Sequence, residues 1–148
     1  MLQFAGDKEL TQSPSVLWSK LSDARFLVKC IPGVEATAVA EQGKAVCTLR
    51  PGFAFVRGTL ELTLIVADTV AEQSIRLLLH GKGIGSTNDV EANLNLVPQP
   101  NGTRVHWVAE IKSLGGLLKA VPQGLIKASA QKVIADAVAA IEAKLQEA

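Results

Sequence analysis

Between Val34 and about Ser113 the apolar residues fall at every second position. In "GTLELTLIVAD", Leu60, Leu62, Leu64 and Val66 alternate with Thr59, Glu61 and Thr63. In "DVEANLNLV", Val90, Ala92, Leu94 and Leu96 alternate with Glu91, Asn93 and Asn95. A period of two predicts strands with one buried face, because successive side chains point to opposite sides of a pleated sheet. "VEATAVAE" and "KAVCTLR" are separated by Gln42-Gly43, "EQSIRLLLH" follows a turn near Asp68, and Asn101-Gly102 opens a tight turn before "TRVHWVAEI". Such short connections join antiparallel neighbours. In the last strand Val105, Trp107, Ala109 and Ile111 share one face, and Arg104, His106, Val108 and Glu110 the other.

The flanks follow another period. Leu2 and Phe4 in "MLQFAGDKEL" fit a first strand. Ser13 is placed to cap a helix with Pro14 at its first position, where a missing N–H costs nothing. Asp23 can cap a second short helix, "ARFLVKC", which Pro32-Gly33 stops. At the far end Leu118, Val121, Leu125, Ala128, Val133, Ala137, Ile141 and Leu145 recur at helical spacing. A helix from Val121 to Gln146 would be about 39 Å long. The expected fold is α+β over residues 1–148 as one domain: a curved antiparallel sheet wrapped around a long C-terminal helix, with two short helices after the first strand. The long apolar stripe covers the apolar sheet face.

"HGKGIGSTN" (His80 to Asn88) has the look of a phosphate loop. A dinucleotide fingerprint needs a helix after the glycines, to aim amide donors at pyrophosphate. Here a period-two strand follows, position 86 is serine, and Lys82 lacks the Walker context. Gly81, Gly83 and Gly85 are instead expected where the sheet curls.

The 148 residues are 48% hydrophobic and 20% charged, with a net charge of +1. That composition folds, and a core of useful size is within reach. With 4% aromatics, no tyrosine and no basic run, nucleic acid is not an expected partner. Cys30 and Cys47 match no metal or redox spacing and read as buried thiols of a reducing cytoplasm. The N-terminus has no apolar signal core, and no apolar run approaches the ~20 residues of a spanning helix.

Candidate chemistry is sparse. His80 and His106 have no ligand-spaced partner, so no metal or other cofactor is expected. Glu61, Glu91 and Glu110 lie on the polar phases of their strands, and no pair is arranged as general acid and base. Cys30 is the one nucleophile to examine, and its Pro-Gly corner argues for packing. "SLGGLLKAVPQGLIKASAQK" places Leu117-Leu118 beside Lys119 and fits either the loop and first turn of the long helix or a contact with a membrane surface or a partner.

The stretch "FAGDKELTQSPSVLWSKLSDARFLVKCIPGVE", through Phe4, Gly6, Ser13-Pro14, Trp18, Leu21, Asp23 and Cys30-Ile31-Pro32-Gly33, resembles the opening of the family named for the G subunit of carbon-monoxide dehydrogenase. "RPGFAFVRGTLEL", "GKGIGS", "NGTRVHWVAEI" and "SLGGLLKAV" extend the resemblance over almost the whole chain. It implies a START-like, helix-grip fold with a cavity between sheet and long helix for a lipid- or quinone-like molecule. It also implies an accessory role to a molybdenum carbon-monoxide dehydrogenase or related redox enzyme.

On that reading the protein is a carrier and not an enzyme, cytoplasmic, with membrane contact at most peripheral. Trp107 is either a core aromatic or a cavity wall stacking on a flat ligand. The same choice applies to Phe26, Phe53, Phe55, Leu62, Leu77, Leu94, Leu118 and Leu125. The alternatives are a cyclase- or aromatase-like enzyme using the same pocket, and an assembly factor whose core is filled. Neither ligand identity nor oligomeric state is legible in the residues.

Overall fold

The computed structural model describes residues 2–50 and 58–147. Strand β1 (Gln3–Leu10) is followed by helices α1 (Pro14–Leu21) and α2 (Ala24–Val28). Strands β2 (Val34–Ala40), β3 (Lys44–Leu49), β4 (Leu60–Val70), β5 (Ser74–Gly83), β6 (Ser86–Gln99) and β7 (Gly102–Gly116) come next. A single 3₁₀ turn, Leu117–Ala120, leads into helix α3 (Gln123–Glu147).

The local signals act as their chemistry requires. Ser13 accepts the Val16 amide with its side chain, with Pro14 at the start of α1. Asp23 accepts the Arg25 amide at 2.9 Å and caps α2. The two-residue connection Ile84-Gly85 joins β5 to β6 with φ of +56° and +68°. Positive φ at both positions matches the twist of a tight hairpin, and glycine reaches it without strain.

The sheet order is β1-β7-β6-β5-β4-β3-β2, and every neighbouring pair is antiparallel. The register fixes rows of side chains across the concave face. One row runs Phe4, Ala109, Ala92, Leu77, Val66; the next runs Gly6, Trp107, Leu94, Ile75. The outer face carries polar cross-strand partners. Arg76 is shared by Asp68 and Glu91 and Arg104 meets Glu9 across strands, while Lys112 meets Glu110 along β7.

The glycines do not bend the sheet as the sequence led us to expect. Pairing runs in register through Gly81 and Gly83 to the hairpin. Gly85 serves the turn, Gly83 lies where a Cβ would press on the Thr59 carbonyl, and Gly81 makes room for the Asn88 amide. Register shifts fall elsewhere, between Val34 and Ala36 and between Thr37 and Val39 on β2, between Val66 and Asp68 on β4, and between Asp89 and Val90 on β6. An extra residue in one strand of a pair, such as Ala67 or Lys112, increases twist and bends the ladder.

Two apolar clusters fill the concave side. The larger joins Leu17, Leu21, Ala24, Leu27 and Val28 of α1 and α2 to the sheet and to Leu145 at the end of α3. The smaller joins Phe4, Ile111 and Ile126, with Trp107, Leu118 and Ile134 against it. Helix α3 is therefore seated at both ends. It begins two residues later than its periodicity indicates: the Pro122 carbonyl accepts the amides of Leu125 and Ile126, and Val121 is extended. Its buried face departs from the expected stripe in the first turns and rejoins it at Ile141 and Leu145. Ile126 is buried, whereas Leu125 is 50% exposed.

Candidate functional site: a groove between the edge strand and the long helix

Between its two seats α3 stands off from β1 and leaves a groove of about 630 Å³. This is within the usual size of small-molecule sites, about 300–1,000 Å³. Phe4 and Trp107 form one side of the groove, and Ile134, Ala135, Val138 and Ala139 form the other. Its borders are polar, with Gln3, Lys127 and Gln131 toward the start of α3 and Lys8 and Glu142 toward its end.

Trp107 owes its place to Gly6. The two residues face each other across β7 and β1. A Cβ at position 6 would lie 2.5 Å from Cζ2 of the indole. With only hydrogen there, the ring lies over the edge strand and toward the groove. Leu94 supports it from β6.

The expected pocket residues separate. Trp107 lines the groove. Leu77 and Leu94 share the concave face and reach the interior behind it, Leu77 buried and Leu94 half-buried. Leu62 is half-buried opposite Gly81. Leu118 packs in the smaller cluster. Phe26 packs on the larger cluster, with the Lys20 ammonium 5.7 Å above its ring. Leu125 faces outward, because Ile126, one residue on, takes the seat against Phe4 and Ile111. Phe53 and Phe55 lie outside the described residues.

Phe4, Ile134, Val138, Lys8 and Glu142 were not foreseen. Phe4 carried a signal, since it is on the inward phase of its strand. The helix residues did not, because two apolar stripes one residue apart fit equally well on so alanine-rich a helix.

Away from the groove both cysteines are packed in the core and both histidines are paired on the outer face. Burial pushes the Cys30 thiol up to about 11, and its Sγ donates to the Phe26 carbonyl. Burial also raises Cys47. Such thiols are poor nucleophiles at neutral pH, since the thiolate is the reactive form. On the outer face His80 Nδ1 lies 2.6 Å from Asp89, which also accepts from Ser113 Oγ at 2.7 Å. These two contacts, the Ser113 hydroxyl foremost, lower the Asp89 carboxyl. His106 Nδ1 lies 2.9 Å from Asp7. Both histidines are surface members of cross-strand pairs. Among the described residues no three His, Cys, Asp or Glu side chains gather as a metal site, and no helix is long and apolar enough to cross a membrane.

Comparison with known proteins agrees with this architecture. The family model for the carbon monoxide dehydrogenase G subunit (CoxG) matches residues 6–146. A conserved protein from Geobacillus kaustophilus is similar in structure, with 26% identity, a TM-score of 0.86, and coverage of 99% of this chain and 96% of that one. A START superfamily protein from Mycobacterium smegmatis shares the fold at 12% identity and a TM-score of 0.71, covering 98% and 97% of the two chains. A second M. smegmatis protein, Ms6760, does so at 18% identity and a TM-score of 0.68, covering 99% and 92%. No curated protein matches the sequence. The fold is START-like: a curved antiparallel sheet gripping a long C-terminal helix.

Proposed function

Because this chain belongs to the CoxG family, we propose that it is a non-enzymatic carrier that holds a lipid- or quinone-like molecule in the groove between β1 and α3 and presents it to a redox enzyme of the carbon monoxide dehydrogenase type. The observation that carries the proposal is the groove itself, with aromatic side chains on one side and small aliphatic ones on the other. Apolar ligand surface leaving water contributes about 25 cal/mol per Å² before ordering costs. The reading as a carrier is supported by where the ionisable groups sit. Lys8 and Glu142 neutralise each other and Asp7 is engaged by His106, so that among the described residues Lys127, at the border, is the one ionisable lining group without an ion-pair partner, and Cys30 is buried away from the groove. A cyclase would need free titratable groups converging on the ligand, and an assembly factor would need no groove.

Trp107 is the reporter for the test, in a Trp18→Phe background. Decylubiquinone or a fatty acid should change its emission saturably. Val138→Asp should abolish the change in protein that remains folded by circular dichroism, because an unpaired carboxylate in an apolar site costs several kcal/mol unless it takes a proton. Folded protein that ignores every quinone and acyl chain tried overturns the carrier.

We also place a peripheral membrane contact at the end of the molecule formed by the β5–β6 hairpin and the start of α3. Ile84, Leu117 and Leu125 are exposed there. Lys119 and Lys127 lie in this segment without a carboxylate between them, whereas Lys112 and Lys132 are paired with Glu110 and Asp136.

A further inference from the structure

Lys8 breaks the apolar phase of its strand. Phe4, Gly6, Lys8 and Leu10 share the inward phase of β1, and Lys8 lies opposite Val105, a buried residue. Its ammonium crosses to Glu142 Oε1 on α3 at 3.2 Å. Among the described residues this is the one polar side-chain contact between the edge strand and the long helix. Elsewhere α3 is held by apolar contacts, through Ile126, Ala130 and Ile134 in one cluster and Ile141 and Leu145 in the other. Between those seats Ala135, Val138 and Ala139 face the groove. An inward lysine on an edge strand deters pairing with another chain, but that role needs no acidic partner, and Lys8 has one. The two side chains keep 38% and 36% exposure. Water and salt therefore screen the pair, and it opens readily.

We propose that the Lys8–Glu142 ion pair is a latch: it sets the separation of β1 and α3, and a ligand reaches Trp107 by its opening. The inference rests on the reading of the groove as a ligand site. A fully buried bridge would be slow to part once its charges had to be hydrated. A screened pair shifts the open–closed balance by only about two- to fivefold, which suits a carrier that must both load and unload.

The test follows the mouth of the groove and ligand exchange separately. Nitroxide labels at Ala5→Cys and Ala139→Cys flank the mouth, and their distance distribution is read by pulsed electron resonance. Lys8→Met and Glu142→Gln should each broaden it toward longer distances, as should about 1 M salt in the unsubstituted protein. The exchanged pair, Lys8→Glu with Glu142→Lys, should narrow it again. In stopped-flow mixing with decylubiquinone, the single variants should associate and dissociate about two- to fivefold faster, and the exchanged pair should return toward the original rates. Distances unchanged by the single substitutions overturn the latch, whatever binds. Distances that respond, in protein that takes up no quinone, support the latch and overturn the groove as the ligand site. Distances that respond while quinone rates stay equal overturn the ion pair as the entry route. Restoration by the exchanged pair excludes a general loss of fold.

Discussion

At residue scale, Gly6 decides where Trp107 lies. Ala at this position places a methyl group against the indole, so the ring must tilt or the strands must part. Overpacking of this kind costs about 1–3 kcal/mol. Gly6→Ala should lower the unfolding free energy read from urea denaturation by that amount, with a lower midpoint, and shift Trp107 emission in the Trp18→Phe background. An unchanged midpoint with unchanged emission would show that the ring does not need the space. The Asp23 carboxylate is held below its usual range first by the Arg25 side chain, with both guanidinium contacts at 3.0 Å or less, and it also caps α2. A folded-state pKa below the unfolded one stabilises above the unfolded value, and the benefit is lost as pH falls through the lowered one. Asp23→Ala should therefore cost about 1 kcal/mol at neutral pH, and the gap from the parent should close below about pH 4. Unfolding curves at pH 7 and pH 3 measure this, and a gap constant with pH would contradict it.

Element-scale behaviour is clearest in α3. Ile126 is 7% exposed and Leu125 50%, although the two are adjacent and similar in hydrophobicity. Ile126→Ala leaves a cavity between Phe4 and Ile111 and should cost about 2–4 kcal/mol. Leu125→Ala removes a solvated side chain and should stay within about 0.5 kcal/mol. Equal losses in chemical denaturation would mean that the helix is rotated from the position described. The same pair of residues shows how far the sequence reaches at this scale. Periodicity locates the helix to within two residues at its start, and its alanines leave the rotational phase open. The groove, built from that phase, inherits the ambiguity. The strands are more legible, because a one-residue slip would put every apolar side chain on the charged outer face.

For the whole molecule, polarity is divided by surface. The outer sheet face carries ion pairs, whereas the end carrying Ile84, Leu117 and Leu125 has exposed apolar side chains among lysines. Net charge is only +1, so attraction to an acidic bilayer must come from this local separation of charge. Each lysine near an anionic surface contributes about 1 kcal/mol. Cosedimentation with vesicles of phosphatidylglycerol should be clear at low salt, weak with phosphatidylcholine alone, and reduced by Leu117→Ser with Lys119→Gln. Equal recovery with both lipids, or none with either, would remove membrane contact from the proposal.

By itself the sequence determined the element order, the antiparallel sheet, the two capped helices and the long terminal one. Those depend on local periodicity and on the conformational limits of Ser13-Pro14 and Asp23, which act within a few residues; the β6–β7 turn falls one residue before the expected Asn101-Gly102, at Pro100-Asn101. Only the tertiary structure decided that Trp107 lies over Gly6, that Asp89 and Asp7 meet the two histidines, and that Lys8 reaches Glu142. His80 and Asp89 meet across one hairpin, and the other contacts join residues far apart in the chain; they depend on strand register and the rotation of α3, and neither quantity is carried by the residues that make the contact.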